Sequence, residues 1–171
     1  CKKLGTKPFS ILARCGFIAE SIIRSLERFE KFGKEVIPAF RRSINTVLTE
    51  FLDGMELYHN SEQEKDRFME QFGHLRPGTY DILALRYDQR REFGAGQSEG
   101  KRGRNKEDNF QLTDGQIEEL ADMLKEVGFD FNATDLFDFL RKSIEGREYA
   151  KLVFTRNISD ALELIADWGI E

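Results

Sequence analysis

Pro8-Phe-Ser-Ile-Leu-Ala-Arg-Cys-Gly-Phe-Ile-Ala-Glu-Ser-Ile-Ile-Arg-Ser-Leu-Glu-Arg-Phe29 is the stretch on which the fold turns. Pro8 suits a first helical turn, where its missing N–H would have had no partner. Ile11, Cys15, Ile18, Ile22, Leu26 and Phe29 then recur at steps of three and four, which predicts a long amphipathic helix stopped by Gly33. Downstream, Ile37, Phe40, Ile44, Val47, Phe51 and Met55 continue the same period and predict a second helix starting near Pro38. A short link between two long helices makes them antiparallel neighbours.

The rest of the chain follows suit. Ser61-Glu-Gln-Glu64 reads as a capping box opening a short helix to about Phe72, and Thr113-Asp-Gly-Gln116 as another, ahead of the stripe Ile117, Leu120, Ala121, Leu124 and Val127 that Gly128 closes. Asn132 or Thr134 is placed to cap a helix carrying Leu136, Phe137, Leu140, Ile144, Leu152 and Val153, and Ser159 to begin a further turn or helix through Leu162, Ile165 and Trp168. No strand-like alternation and no internal repeat is present. The expected fold is all-α, an irregular helical bundle of about five to seven helices forming a single domain over residues 1–171. Residues 94–109, rich in glycine and charge and nearly free of apolar side chains, read as an exposed mobile loop.

Composition narrows the function classes. A chain of 171 residues buries roughly 70% of its unfolded surface, enough for a core without disulfides or metal. Its net charge of −5 is uneven, +3 over residues 1–60, +2 over 61–106 and −10 over 107–171, which argues against nucleic acid as a partner. No apolar run is long enough to span a membrane. Cys1 and Cys15 stand at no metal-ligand spacing to His59 or His74, and the composition fits a reducing cytoplasm. The absence of an initiator methionine reads as a piece of a longer polypeptide.

Familiar catalytic signatures are missing: there is no phosphate loop, no nucleophile elbow, no His-Glu-x-x-His and no cysteine cluster. Gly94-Ala-Gly96 follows no strand, and Lys101-Arg-Gly-Arg-Asn-Lys106 has no aromatic interleaving for base stacking. Polar chemistry concentrates instead in Phe72-Gly-His-Leu-Arg-Pro-Gly-Thr-Tyr-Asp-Ile-Leu-Ala-Leu-Arg-Tyr-Asp88, where a Pro-Gly pair fixes one φ and frees the next. His74 either lines a cleft as a ligand or proton-transfer group or ties the turn to neighbouring helices. Arg76 and Arg86 either clamp an anion or pair internally with Asp81 and Asp88, the more economical arrangement. Arg147-Glu-Tyr-Ala-Lys151 sets Arg147 and Lys151 on one helical face, with Tyr149 expected on the core side. His59 suits a helix C-terminus.

The block from Phe72 to Ile82, followed by Arg86-Tyr-Asp88, resembles a segment of phosphoenolpyruvate synthase-like proteins related to rifampin phosphotransferase. Pro8 to Arg14 with Phe17-Ile18-Ala19, and Arg147 to Lys151 with Phe154-Thr155 and Ser159-Asp160, resemble other blocks of these proteins in the same order; Leu85 stands where a proline is expected. The resemblance implies the helical middle domain of an ATP-dependent phosphotransferase of the dikinase type, whose ATP-grasp domain and swivelling phosphohistidine domain lie elsewhere on the same polypeptide. It implies no cofactor in this chain, ATP and Mg for the parent protein, no catalytic residue here, and an acceptor-binding or domain-docking role. His74 does not match the phosphoryl-carrying histidine. If one groove binds a small-molecule acceptor, the residues implied are His74, Arg76, Tyr80, Asp81, Arg147 and Lys151. The alternative is a stand-alone helical protein-interaction module.

Overall fold

The computed structural model describes residues 2–30, 32–90 and 110–169, and among them the chain is all-α, without a strand. Six α-helices follow in order: α1 (Lys7–Leu26), α2 (Ile37–Ser43), α3 (Val47–Leu57), α4 (Glu62–Phe72), α5 (Asp114–Glu126) and α6 (Ala133–Trp168). They gather into two compact units, Cys1–Asn45 with Arg104–Glu148 and Thr46–Gly103 with Tyr149–Glu171, so that α6 supplies residues to both. The loop expected at 94–109 lies outside the described residues.

In the first unit, Pro8 occupies the first turn of α1 as expected, but the buried face is Gly16, Ala19, Ile23 and Leu26, while Ile11 and Ile18 are about half exposed. Small residues explain the shift. A Cβ on Gly16 would stand 2.7 Å from Cδ of Arg147, so the close approach falls on the glycine face and the larger aliphatics are left on the flank. The helix also ends at Leu26, short of Gly33, which sits instead in a wide π turn, Phe32–Val36, where a Cβ would come 2.2 Å from the Glu27 carbonyl oxygen. Pro38 then lies in the first turn of α2. Around Phe40 the core closes with edge-on rings, Phe137 at 4.8 Å and Phe110 at 5.2 Å between centroids, and with Ile23, Ile37, Leu120 and Leu140.

Local signals at α5 are met at both ends. Thr113 and Gln116 form the reciprocal capping box. Gly128 takes φ +76, with its N–H donating to Lys125 and that of Phe129 to Leu124, a complete Schellman closure. At the start of α6, the Asn132 side chain accepts from the Asp135 amide at 2.7 Å.

The second unit is built on α3 and α4, joined by the rings of Phe51, Tyr58, Phe68 and Phe72. Gly54 allows the contact, since a Cβ there would meet Phe68 Cδ2 at 2.8 Å. Ser61 caps α4 by accepting from the Glu64 amide at 3.2 Å; among the described residues no reciprocal bond from Glu64 completes the box.

Two sequence expectations are corrected. The helix predicted through Met55 breaks at Ile44 (φ −76, ψ 122) and restarts after Thr46, whose amide donates to the Thr49 hydroxyl. The break divides the apolar run: Ile44 belongs to the first core, while Val47, Phe51 and Met55 pack in the second. Conversely, Ser159 opens no new helix. It lies inside the unbroken 36-residue α6, and Tyr149, expected on the core side, is exposed, as are Ile165 and Trp168.

Candidate functional site

Where α4 ends, the chain folds back on itself. The Asp81 amide donates to the Gly78 carbonyl at 2.8 Å, and Gly78 adopts φ +44, the left-handed conformation that the Pro-Gly pair predicts. Asp81 Oδ1 accepts from the Leu83 amide at 2.9 Å, shaping the next bend. The returning strand of chain is tied at its base: Tyr87 N–H donates to the Leu75 carbonyl at 2.8 Å and Asp88 N–H to that of Gly73 at 3.1 Å. Residues 73–88 therefore form a closed loop with defined ends.

Two arginines fasten this loop to α6. The Arg76 side chain is 1% exposed. Its Nη2 donates to Glu163 Oε1 at 2.6 Å and to Ser159 Oγ at 3.2 Å, and its Nη1 to the Asp81 carbonyl at 3.2 Å. Ser159 Oγ in turn donates to the His74 carbonyl at 2.7 Å. Arg86 forms a two-pronged pair with Asp88 through Nε and Nη2 and reaches Asp160 Oδ1 through Nη1 at 2.8 Å. Burial lowers the Arg86 pKa, but the Asp88 and Asp160 carboxylates outweigh it, so the guanidinium is held more firmly charged than usual. A third arginine, Arg156, donates to the carbonyls of Glu70 and Gln71 and so satisfies the open end of α4.

His74 is 3% exposed, and neither ring nitrogen has a hydrogen-bond partner. Burial, and next the positive charges of Arg156 and Arg86, push its pKa below the ordinary 6.5; the Leu152 main-chain carbonyl works the other way without reaching hydrogen-bond geometry. The ring is a neutral imidazole at pH 7, walled in and unsuited to passing protons to a substrate.

The remaining predicted residues are spread out. Tyr80 is 67% exposed and Asp81 is exposed, both on the outside of the loop. Lys151 is exposed on α6, its carbonyl accepting from the Thr155 hydroxyl. Arg147 falls in the first unit, where it lies against Gly16 and donates to Glu148 through Nε and Nη2. The His74 carbonyl and Arg76 converge on Ser159, and the main chain of Asp81 joins them through Arg76. Internal pairing describes Arg86 with Asp88, but Asp81 offers Arg76 its carbonyl oxygen and leaves the carboxylate role to Glu163. Arg156, Ser159, Asp160 and Glu163 are the partners that sequence reasoning missed. Their spacing of i, i+3, i+4, i+7 marks one polar stripe on a helix and is the signal that would have found them.

Among the described residues no group of three or more His, Cys, Asp and Glu side chains is placed to hold a metal ion. No described helix is long and apolar enough to cross a membrane. No protein-family model, curated protein or solved structure matches the chain.

Proposed function

We propose that this chain is the domain-docking helical region of an ATP-dependent, phosphoenolpyruvate-synthase-like phosphotransferase, without catalytic activity of its own. The motif resemblance supplies the family. One observation favours docking over acceptor binding: the Arg76 and Arg86 guanidiniums are committed to Glu163, Asp88 and Asp160. A cation already neutralised by a carboxylate offers little to a phosphoryl group. Beside the exposed Asp81, the loop presents large apolar side chains outward, with Leu83 at 88%, Tyr80 at 67% and Leu85 at 57% exposure. A braced loop with an apolar crown is suited to seating the ATP-grasp or phosphohistidine domain of the same polypeptide.

The test uses the full polypeptide. ATP-dependent labelling of a phosphohistidine is expected, and Leu83→Asp with Leu85→Asp is expected to slow overall turnover at least tenfold while leaving the circular dichroism of the 171-residue chain unchanged. A full polypeptide that forms no phosphohistidine, or one whose turnover ignores both substitutions, overturns the proposal.

A further inference from the structure

The His74 imidazole takes no part in the fastening of the loop, yet it hangs from the residue on which that fastening depends. Its carbonyl accepts from Ser159, and the neighbouring Gly73 carbonyl accepts from the Asp88 amide. The ring and the carbonyl that Ser159 holds belong to one buried residue, so a ring expelled from its place removes packing from beside that carbonyl. The ring is buried with neither nitrogen hydrogen-bonded, and burial outweighs the help that the Leu152 carbonyl and Asp160 give to a second proton.

We infer that the fastening of residues 73–88 to α6 is acid-sensitive: protonation of His74 drives the imidazole out of its buried position and releases the loop. The surrounding charges support this from each side. From α6 come Arg156 and Asp160, and from the loop Arg86, so an imidazolium meets two cations and one carboxylate, and that carboxylate is already paired with Arg86. Asp88 is taken by Arg86 and Glu163 by Arg76. Glu50 of α3 accepts from Gln71 of α4, and the side chains of α3 and α4 that share a cluster with Leu75, next to His74 in the chain, are apolar, Phe51, Met55, Phe68, Met69 and Phe72 among them. A ring whose pKa lies below 6.5 in the closed loop binds fewer protons there than when the loop is open. Closure is thus fully favoured above about pH 6.5 and weakens as the pH falls through that value toward the lowered one. This holds whether or not the loop seats a neighbouring domain.

Hydrogen exchange of the Tyr87 and Asp88 amides reads the closure directly, because their acceptors are Leu75 and Gly73. In the 171-residue chain, protection corrected for intrinsic exchange is expected to fall between about pH 7.5 and 5.5, by at most about tenfold. His74→Phe, which fills the space without a titrating group, is expected to abolish that fall. Equal protection at both pH values, or the same fall in His74→Phe, overturns the inference. Should His74→Phe not fold, an imidazole NMR titration of the unmodified chain decides, with exposed His59 assigned through His59→Gln. His74 titrating below the ordinary 6.5, with loop protection lost in step, supports the switch; His74 titrating at or above that value, or protection that does not follow its titration, removes it.

Discussion

Ser159 Oγ donates to the main-chain carbonyl of His74 at 2.7 Å and accepts from Arg76 at 3.2 Å, so one hydroxyl in the interior of a helix satisfies both a turn carbonyl and a buried guanidinium. Ser159 has no exposed surface. Its removal takes the side-chain donor from the buried His74 carbonyl and one of several acceptors from the Arg76 guanidinium.

Ser159→Ala is accordingly expected to destabilise the second unit by about 1–2 kcal/mol, the cost of a lost buried hydrogen bond offset by the better helix propensity of alanine. Urea unfolding followed by circular dichroism measures it. A change near zero would mean that the carbonyl and the guanidinium find other partners.

Arg76→Met leaves Glu163, whose side chain is 27% exposed, with a hydrogen bond from Gln89 but no countercharge, and is expected to cost about 3 kcal/mol, the low end for breaking a buried pair. Replacing both partners, Arg76→Met with Glu163→Leu, should recover at least half of that loss, because the uncompensated charge disappears with its partner. A double variant as unstable as the single one would show that the guanidinium acts mainly through Ser159 and Asp81.

Gly128 and Gly115 frame α5 in opposite ways. Neither would crowd a neighbour if given a Cβ, but Gly128 sits at φ +76 and Gly115 does not have positive φ. Gly128→Ala should lower stability by about 1 kcal/mol through backbone strain alone, while Gly115→Ala should raise it by about 0.5 kcal/mol by narrowing the unfolded ensemble. Thermal melts of the two variants against the parent chain are sufficient to compare the signs.

Acid should loosen the first unit through Glu20. A hydrogen bond from Arg41, and then its charge, hold this carboxyl below its ordinary 4.5, against the opposing pull of burial. A carboxyl with a lowered folded pKa contributes stability in full above the unfolded value and loses it as the pH falls through the folded one. The pair is partly exposed, so its contribution is about 0.5–1 kcal/mol. Glu20→Gln should remove that share of the acid dependence below about pH 4.5 in pH-dependent melts, leaving stability at pH 7 lower by the same amount.

Much of the secondary structure can be read from short-range rules, because caps and turns are made by residues a few positions apart. Thr113 with Gln116, Gly128, and Pro77 with Gly78 are such cases. The restart at Thr46 escaped those rules: its partner is Thr49 rather than a glutamate or glutamine, and Ile44 and Val47 keep a helical period while packing into different cores. Ser159 misled for the opposite reason. Its residue type suits a helix start, but its hydroxyl is claimed by a turn 85 positions earlier. The loop's rigidity was legible in Pro77-Gly78; that its arginines answer to Asp160 and Glu163 was not, since no local pattern links residues about 80 apart. Which aliphatics of α1 face inward also depended on a distant fact, the room that Gly16 makes for Arg147.

That separation along the chain has a consequence for how the protein is made. Arg76 waits for Glu163, 87 positions later, and Ser43 for Arg141, 98 positions later. Each unit therefore stays incomplete on the ribosome until a segment made much later emerges, with Phe40, Phe51 and Phe72 only partly covered in the meantime. A nascent chain halted before residue 133 holds most residues of both cores but lacks the α6 side chains that close them, so until α6 emerges apolar surface stays open to aggregation.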